Sequence, residues 1–317
     1  MSEPHDEIDR PAPIARVIGA VGDDVVERLG SVSGSDLTTL LLEVMRRRAE
    51  AATPSAVLRR FETDRFTGPA TVPFDRMRET ETSILRALPS GTETITLSPL
   101  VPLGTHRSVS MVDPRWTVPT IRGTEVAADP TNGLALVAAA RRRALVDDGQ
   151  THEVVRLAAS HRVVRAQRFE GEAAFAHFQI VGHVTAGRDP GDHRFEHEAI
   201  AEHVRFLVAS FAGAGAREVR LGVTDLGGGA SQRVVEAARS AAADAGVGVV
   251  DEPDRERGRG YYRTCCFQLY ARLHGETESI ADGGFVDWTA QLIGSRKERL
   301  CISGIGLERL TLASALG

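Results

Sequence analysis

Residues 300–310 read Leu-Cys-Ile-Ser-Gly-Ile-Gly-Leu-Glu-Arg-Leu, and this stretch is the most informative part of the chain. It predicts a strand, then a close approach to the backbone, then a helix that opens with Glu308 and Arg309. Glycines at positions 304 and 306 leave room for a ligand against the backbone. An arginine in the first turn of a helix can bind a phosphate or stack on a base. The stretch therefore indicates a ligand site where a strand passes into a helix.

The composition is typical of a globular protein with its own hydrophobic core. The chain has 317 residues, of which 42% are hydrophobic and 26% charged, and this length predicts one or two domains. Aromatic residues make up 5% of the chain, and the formal net charge is −5. Both values argue against aromatic platforms for nucleic acid and against binding that depends mainly on phosphate contacts. A local basic groove is compatible with them.

The cysteines and the first residues predict the cellular setting. Cys265, Cys266 and Cys301 form no C-x-x-C pair, so we expect reduced thiols in a cytoplasmic protein. Residues 1–13 are acidic and polar and lack the basic and apolar regions of a signal peptide. We expect a disordered lead-in there, followed by a single domain over residues 14–317. The sequence contains no run of 18 apolar residues, which argues against a membrane span.

Several strand-like segments lie close together without helices between them. This arrangement favours an antiparallel α+β architecture over a doubly wound parallel sheet. Asp129 followed by Pro130 predicts a helix start, because aspartate can cap a helix and proline suits its first turn. We expect helices over about 35–48, 74–88, 130–143, 193–212, 230–245, from 284 and from 306, and strands near 94–97, 116–121, 153–158, 161–168, 175–186, 218–223, 247–250, 261–273 and 300–303.

Two local patterns resemble ligand sites and have simpler explanations. Residues 193–197 match H-x-x-E-H, in which His193, Glu196 and His197 would serve a metal. The match has only three fixed residues in a histidine-rich region, so we interpret them as solvated side chains and assign no metal ligand. Residues 227–229 are three glycines before a helix, match neither the dinucleotide nor the P-loop pattern, and are interpreted as a turn.

Residues 304–310 resemble motif 3 of the class II aminoacyl-tRNA synthetases, in the form found in histidyl-tRNA synthetases. Two further matches lie in the order of that family. Residues 282–287, DGGFVD, resemble its GGRYD segment, and residues 257–262, RGRGYY, resemble its RGLDYY motif. The resemblance extends over about residues 120–317, and the weakly patterned motif 1 helix is expected before residue 90.

Motif 2 of the same family is matched in two pieces. Residues 164–167, VRAQ, stand where the family has F-R-x-E, and residues 177–179, HFQ, stand where it has F-H-Q. Residues 122–125 are a weaker candidate for the R-P-E-G-T element, with an uncertain register.

The resemblance implies the class II synthetase fold, a mainly antiparallel sheet flanked by helices. It also implies adenylation of a carboxylic acid with ATP and Mg²⁺. Attack on the α-phosphate builds negative charge, so such a site needs fixed cations. By resemblance, Arg165 contacts the α-phosphate, Arg257 serves the reacting carboxylate and the α-phosphate, and Arg309 clamps the ATP.

The other residues that the resemblance implies fall into two groups. On the ATP side, Gln167 stands at the glutamate position of motif 2, and His177 or Phe178 would pack on adenine. On the side of the activated acid, Thr124 or Glu125 would meet the substrate ammonium. The full acid-binding set is Thr124, Glu125, Gln179, His183, Tyr261, Tyr262 and Gly304.

Departures from the family pattern bear on the substrate. Gln167 replaces the motif 2 glutamate, Gly260 replaces the aspartate of RGLDYY, and Phe285 replaces the arginine of GGRYD. His183 stands where histidyl enzymes have an acidic residue for the imidazole, and losing the partner of a buried polar group weakens recognition strongly. We therefore expect another amino acid or a related carboxylic acid as substrate.

Two tRNA-binding modules of the histidyl enzymes have no counterpart in this sequence. The sequence ends soon after Arg309, where that family has an anticodon-binding domain, and few residues separate Asp225 from Arg257, where it has an insertion domain. We therefore expect that tRNA is not a partner. The family usually dimerises through motif 1, so we expect a homodimer with a two-fold interface formed by the N-terminal half.

Three functions are consistent with these residues. The first is a stand-alone adenylating enzyme that passes its acyl-adenylate to a non-tRNA acceptor, which the three retained arginines favour. The second is a non-catalytic protein like the histidyl synthetase-like regulatory subunit of ATP phosphoribosyltransferase, which Gln167, Gly260 and Phe285 favour, although those paralogs tend to lose the motif 3 arginine. The third is a truncated ligase that acts on tRNA. We adopt the first as the working hypothesis.

Overall fold

The computed structural model describes residues 13–22, 24–167, 176–227, 231–256, 258 and 260–315. Two compact units are distinguished. The smaller comprises residues up to Arg60 together with Ile121–Gly123, and the larger comprises Phe61–Thr120 together with Thr124 onward. The prediction of one domain over residues 14–317 stays a prediction, because the compactness of a unit does not measure whether it folds alone.

The smaller unit is helical. It contains α1 (Pro13–Val21), α2 (Val25–Ser31), α3 (Gly34–Glu50) and the beginning of α4 (Pro54–Thr63). The predicted helix near residue 35 is present, but Ser33 caps it rather than Ser35. Ser33 Oγ accepts a hydrogen bond from the backbone N–H of Asp36 at 3.1 Å, which satisfies one of the orphan donors of the first turn.

These first helices keep their apolar side chains at the surface. No described residue of α2, α3 or α4 is buried. Leu40, Val44 and Met45 of α3 are among the large hydrophobic residues that remain exposed. An exposed apolar helix face of this kind is typical of a surface that packs against a partner.

The larger unit contains a central sheet and the helices that cover it. Its further elements are α5 (Phe74–Arg86), β1 (Glu93–Thr94), β2 (Leu100–Pro102), α6 (Thr105–Ser110), a 3₁₀ turn (Pro114–Trp116), β3 (Val118–Pro119), β4 (Thr124–Val126), α7 (Pro130–Asp147), β5 (Val155–Val164), β6 (His177–Arg188), α8 (Arg194–Ala214), β7 (Arg220–Asp225), α9 (Ser231–Ala243), β8 (Gly248–Asp251), β9 (Tyr262–Leu273), β10 (Glu276–Val286), α10 (Trp288–Ile293), β11 (Glu298–Gly306) and α11 (Leu307–Ala315).

Eight strands of the described residues form one sheet in the order β1-β5-β6-β11-β10-β9-β7-β8. All pairs from β5 to β7 are antiparallel, and the parallel pairs β1–β5 and β7–β8 lie at the two edges. The strands β2, β4 and β3 form a small antiparallel sheet. The prediction of an α+β protein with a mainly antiparallel sheet is confirmed.

Helices cover both faces of the large sheet. On one face, α7 packs with Leu134 and Ala138 against Leu157, Val184 and other residues of the central strands. On the opposite face, α5, α8, α9 and α11 bury a larger apolar cluster. The alternation of side chains along each strand therefore assigns every central residue either to the α7 face or to the α8 face.

The bounds of two predicted elements are wrong. The helix expected from about residue 284 begins only at Trp288, because β10 pairs with both β9 and β11 as far as Val286. The two short strands expected at 153–158 and 161–168 are one continuous strand, β5. β5 pairs with β6 without a break from Val155 to Val164, and such pairing holds a strand through locally weak positions.

None of the helices in the described part of the chain is both long enough and apolar enough to cross a membrane.

A buried charge cluster ties α7 to the sheet. Arg142 of α7 and Glu298 of β11 are both fully buried, and Nε of Arg142 lies 2.9 Å from Oε2 of Glu298. Arg188 of β6 donates to the other oxygen of Glu298, and Arg142 also donates to the carbonyl of Thr151 at 2.9 Å. One carboxylate thus compensates two guanidinium groups in the interior.

We expect Glu298→Gln to lower the free energy of unfolding by about 3–5 kcal/mol, because it leaves buried guanidinium charge without compensation. Glu93→Gln is the matched control: it removes the partner of Arg141, the residue next to Arg142, in an exposed ion pair and should cost at most about 1 kcal/mol. Urea unfolding followed by circular dichroism measures both. Equal losses at the two positions would contradict the assignment.

Candidate active site

A cavity of about 220 Å³ lies on the α7 face of the sheet. Its walls come from α6, the N-terminus of α7, the end of β5, the start of β9 and the middle of β10 and β11. This volume is below the range of about 300–1,000 Å³ that is usual for drug-sized ligands, so it suits a small molecule such as an amino acid. Its lining residues include His106, Ser110, Trp116, Asp129, Thr131, Asn132, Arg165, Gln167, Tyr261, Tyr262, Asp282, Trp288, Ser303 and Gly304.

Five residues that the sequence singled out meet at this cavity. They are Arg165, Gln167, Tyr261, Tyr262 and Gly304, which come from segments separated by up to 139 positions in the chain. The other described candidates lie outside its lining: Thr124, Glu125, His177, Phe178, Gln179, His183 and Arg309. The roles of all these residues stay predictions.

The N-terminus of α7 supplies cavity residues that the sequence reasoning missed. Asp129 caps the helix: its Oδ1 accepts from the backbone N–H of Thr131 at 2.9 Å and from Thr131 Oγ1 at 2.7 Å. The cap itself was predicted, but its place at the cavity was not. The available signal was the aspartate-proline-threonine run at 129–131, four residues after the end of the segment 122–125 at which the R-P-E-G-T element was placed.

Thr124 and Glu125 are engaged elsewhere. Oγ1 of Thr124 shares a hydrogen bond of 2.6 Å with Oγ1 of Thr120. Glu125 is buried, and its Oε1 accepts from the backbone N–H of His106 at 3.0 Å. Neither side chain lines the cavity, so the carboxylate on the cavity wall nearest in sequence is that of Asp129.

Arg165 connects β5 to the start of α7. Its Nε donates to the carbonyl of Ala128 at 2.9 Å, and its Nη2 donates to Oδ2 of Asp129 at 3.0 Å. The guanidinium also lies 5.0 Å from the ring centroid of Phe178, a distance at which a cation is attracted to the ring face. Nη1 makes no hydrogen bond to any residue that the structure describes. Three contacts therefore hold the Arg165 guanidinium in place, and its Nη1 stays available to a ligand.

Tyr261 and Tyr262 form an aromatic wall beside Asp282. Their ring centroids are 4.4 Å apart, and both residues line the cavity although they are neighbours in the chain. The hydroxyl of Tyr262 donates to Oδ2 of Asp282 at 3.3 Å. Burial raises the pKa of both tyrosines, with Asp282 adding to the shift, so their hydroxyl groups stay protonated donors.

Asp282 is a carboxylate in the middle of the sheet. Oδ2 of Asp282 lies 3.6 Å from Nη2 of Arg255. Burial raises the pKa of its carboxyl group, while the charge of Arg255 acts in the opposite direction and Asp129 adds to the rise. Asp129 and Asp282 both line the cavity, so two carboxylates face the same small volume. The sequence analysis quoted Asp282 in the DGGFVD segment and assigned it no role, because it precedes the glycine pair that carries the resemblance.

Phe178 and His177 lie at the beginning of β6, outside the cavity lining. Phe178 packs against Ala127, Val163 and Ile180, with Arg165 over its ring. His177 has both ring nitrogens engaged: Nδ1 accepts from Nε of Arg162 at 3.0 Å, and Nε2 donates to the carbonyl of Gly68 at 2.6 Å. Of the two adenine candidates, Phe178 is the one in contact with Arg165.

Gln179 and His183 lie on the other face of the sheet. Gln179 Nε2 donates to Oε1 of Glu81 on α5 at 2.9 Å and to Oγ of Ser160 at 2.8 Å. The ring of His183 stacks on that of His203 of α8, with centroids 4.2 Å apart. Strand alternation places the even-numbered residues of β6 toward α7 and the odd-numbered ones toward α5 and α8. A shift of one residue in the motif 2 register therefore exchanges the two faces.

Of the other two arginines assigned to the nucleotide, the structure describes Arg309. Arg309 is in the first turn of α11, where its Nη1 donates to the carbonyl of Ser279 at 3.1 Å and lies 3.8 Å from Oε2 of Glu278. Arg257 lies outside the described residues, as do residues 228–230 of the glycine run.

A second cavity of about 670 Å³ lies near the end of β10. It is lined by His193 and Glu196 of the H-x-x-E-H match, and Nε of Arg299 binds Oε1 of Glu196 at 2.9 Å. His193 has a positive φ of 56° and precedes α8. It therefore does not share a helical face with His197, which removes the geometric argument for a metal pair.

Comparison with protein-family models and with curated proteins finds no match for this sequence. Solved structures do match. The apo histidyl-tRNA synthetase of S. aureus has 16% identity and a TM-score of 0.58, over 77% of this chain and 68% of that chain. A structure described as an ATP phosphoribosyltransferase regulatory subunit/histidyl-tRNA synthetase from Bacillus halodurans C has 15% identity and a TM-score of 0.58, over 78% of this chain and 82% of that chain.

A histidine–tRNA ligase subunit from Alicyclobacillus acidocaldarius matches at 17% identity and a TM-score of 0.57, over 78% of this chain and 98% of that chain. The predicted class II synthetase-like fold of the histidyl type is therefore confirmed. At these identities the likeness establishes the fold and leaves the activity open.

The buried His183–His203 pair predicts a pH-dependent stability. Burial lowers the pKa of His183 to about 3, with the charge of Arg156 adding to the shift, and burial also lowers the pKa of His203. Neither ring nitrogen of His183 has a hydrogen-bond partner among the described residues. Both rings are thus neutral in the folded protein, whereas an unfolded histidine takes up a proton below about pH 6.5.

We expect the free energy of unfolding to fall as the pH is lowered from 7 to 5, because the unfolded chain binds more protons than the folded one in this window. Each such histidine contributes up to about 1.4 kcal/mol per pH unit. His183→Leu should make the slope shallower in urea unfolding series at pH 7, 6 and 5. His152→Gln controls for the loss of an exposed histidine, and an unchanged slope in His183→Leu would refute the assignment.

Proposed function

We propose that this chain activates an amino acid or a related carboxylic acid with ATP and transfers the acyl group to an acceptor other than tRNA. In the first step, a carboxylate oxygen attacks the α-phosphorus, the bond to the β-phosphate oxygen breaks, and pyrophosphate leaves. In the second, a nucleophile on the acceptor replaces AMP at the acyl carbon. The observation that carries the proposal is the pairing of Arg165 with Asp129 on the wall of an amino-acid-sized cavity.

The charges of this pair match a zwitterionic substrate beside a phosphate. The free Nη1 edge of Arg165 offers donors to a carboxylate or α-phosphate oxygen, where charge increases during the attack. Asp129 accepts three hydrogen bonds (from Arg165, the Thr131 backbone and the Thr131 hydroxyl), and a carboxylate has room for about four. Its remaining capacity suits the ammonium group of an amino acid.

The adenine side of the proposal rests on Phe178 and Arg309. An adenine ring stacks well on an aromatic face and beneath a guanidinium group. Arg165 already covers one face of the Phe178 ring.

Mg²⁺ fits this site as a companion of the nucleotide. Mg²⁺ usually keeps several waters and binds mainly through substrate phosphates, with one or two carboxylates at most. The two groups of the described residues whose spacing suits a metal lie away from the cavity: His183 with Glu202 and His203, and Asp189 with His193 and Glu196. We therefore propose that the metal arrives with ATP, where it neutralises phosphate charge.

A regulatory function is the second candidate, and the environment of Arg165 favours it. Its guanidinium is held by Asp129, the carbonyl of Ala128 and the ring of Phe178, and the neighbouring Gln167 lacks the charge of the motif 2 glutamate. Under this candidate, the cavity binds an amino acid and a partner protein performs the chemistry.

We also propose a cytoplasmic homodimer. The exposed apolar residues of α1–α4 support a protein interface, because a large exposed apolar face is costly in water. Size-exclusion chromatography with light scattering of the full chain measures the oligomeric state, and a monomer at micromolar concentration refutes the dimer.

The test of the activity is ATP–pyrophosphate exchange with Mg²⁺ across all amino acids and a panel of related acids. We expect exchange with one acid or a few similar ones. Arg165→Ala and Arg309→Ala should each reduce it by at least about 10²-fold, the usual effect of removing one group that stabilises the transition state. Arg165→Lys should be nearly as inactive, because an ammonium lacks the planar fork.

Arg233→Ala is the matched control. Arg233 forms an exposed ion pair with Asp192, and neither residue lines the cavity of the proposed site. This variant should leave exchange unchanged. Circular dichroism verifies that each variant folds. Absence of exchange with every acid, together with amino-acid binding in calorimetry, would replace the adenylation proposal with the regulatory one.

A further inference from the structure

Asn132 presents a buried hydrogen-bond donor to the cavity. It is 1% exposed, belongs to the first turn of α7 and lines the cavity. Its Oδ1 accepts from Nδ1 of His106 at 2.7 Å and from Oγ of Ser110 at 3.1 Å. Within the part of the chain that the structure describes, its Nδ2 has no hydrogen-bond partner. A buried donor without an acceptor lowers the stability of the fold, and a ligand that supplies the acceptor removes this penalty.

The orientation of this donor is determined by the backbone. The N–H of Ala128 donates to Nε2 of His106 at 3.0 Å, so the proton of the neutral imidazole lies on Nδ1. That proton needs an acceptor, which is Oδ1 of Asn132. Turning the carboxamide over would place its NH₂ group against the N–H of His106, a clash of two donors, whereas the Ser110 hydroxyl could still donate to the carbonyl of His106 at 2.9 Å. His106 is thus a positioning residue that keeps the N–H groups of Asn132 available.

Asp282 supplies a hydrogen-bond acceptor to the same cavity. It accepts a hydrogen bond from Tyr262, and its neighbour across the β10–β11 pair is Gly304. A Cβ at position 304 would meet only Ile180 Cγ2, at 3.3 Å, so the glycine leaves open the space beside the carboxylate. One cavity therefore offers a donor from α7 and an acceptor from β10.

We propose that Asn132 and Asp282 select the side chain of the bound amino acid, and that this side chain ends in a primary carboxamide. A carboxamide accepts through its oxygen from Asn132 and donates through its NH₂ group to Asp282. A carboxylate side chain would place a like charge against Asp282, where the carboxamide presents its NH₂ group. An ammonium or an aliphatic end would leave the Asn132 donor unpaired. The inference rests on the proposed function only in that the cavity binds an amino acid.

The experiment is equilibrium binding to the wild-type full chain without ATP, by isothermal titration calorimetry at pH 7.5. The probes form two isosteric series: glutamine, glutamate and methionine, and asparagine, aspartate and leucine. We expect one carboxamide amino acid to bind at least about tenfold more tightly than the other two members of its series, because a site built for a hydrogen-bonding group rejects analogues that lack it. Tighter or equal binding of a charged or aliphatic member, or no binding of any of the six, overturns the proposal.

Two variants test the two residues separately. Asn132→Asp keeps the shape and the bonds from His106 and Ser110 but replaces the donor with an acceptor, and Asp282→Asn removes the charge of the acceptor. Each should weaken carboxamide binding at least about tenfold and reduce the preference over the isosteres. Asp287→Asn is the matched control, because Asp287 follows the same strand, pairs with Arg263 and lines the other cavity. This variant should bind the carboxamide amino acid as tightly as the wild type does.

The outcomes separate this inference from the proposed function. Carboxamide binding without pyrophosphate exchange supports the selectivity and refutes adenylation. Exchange with an acid that lacks a carboxamide supports adenylation and refutes the selectivity. If Asn132→Asp fails to fold by circular dichroism, Asp282→Asn decides, and unchanged selectivity in that variant overturns the proposal.

Discussion

The close packing of Pro130 on Gly182 is the contact on which the site depends. A Cβ at position 182 would lie 3.0 Å from Cγ of Pro130, so only glycine lets the first turn of α7 rest directly on β6. This contact places the N-terminus of α7 over the centre of the sheet. Asp129 and Asn132 then lie beside the cavity, and the buried Arg142–Glu298 pair attaches the following turns of α7 to β11.

The position of α7 also brings charged side chains together at the cavity. Asp129 caps α7 and neutralises Arg165, so the carboxylate has a structural and a ligand-facing role at once. Asp282 lies on β10 with Arg255 and Tyr262 around it. Asp129, Asp282 and Arg165 thus line a small volume, with Arg255 3.6 Å from Asp282, and charges there interact more strongly than in water. Such an arrangement suits a zwitterionic ligand better than a purely anionic one.

Both candidate functions use this cavity in the same way and differ only beyond it. Adenylation needs Arg165 and Arg309 to act on ATP, whereas regulation needs only that an amino acid changes the stability of one state of the protein. The structural relatives include proteins described as histidyl-tRNA synthetases and as a regulatory subunit, which is consistent with one amino-acid-binding fold serving two purposes. The distinguishing chemistry lies at the phosphate, away from the residues that select the amino acid.

The fold and part of the site could be predicted from local patterns. The closely spaced strands, the capped start of α7 and the strand that passes into a helix at residues 300–310 predicted an antiparallel α+β fold, because helix caps, glycines and periodicity act over a few residues. The class II architecture, which similar solved structures confirm, was implied by the resemblance of the motif segments. They also identified Arg165, Tyr261, Tyr262 and Gly304 as residues of one cavity.

The strand faces and the lateral contacts were decided by tertiary structure. Whether Gln179 and His183 face the cavity depends on a register of one residue in β6, and adjacent side chains of a strand point in opposite directions. Asn132 and His106 belong to no motif, Asp282 was given no role within its segment, and the three residues line one cavity only because α6, α7 and β10 converge. The sequence by itself determined the architecture and its charged residues, while side-chain packing across distant segments decided which of them share a site.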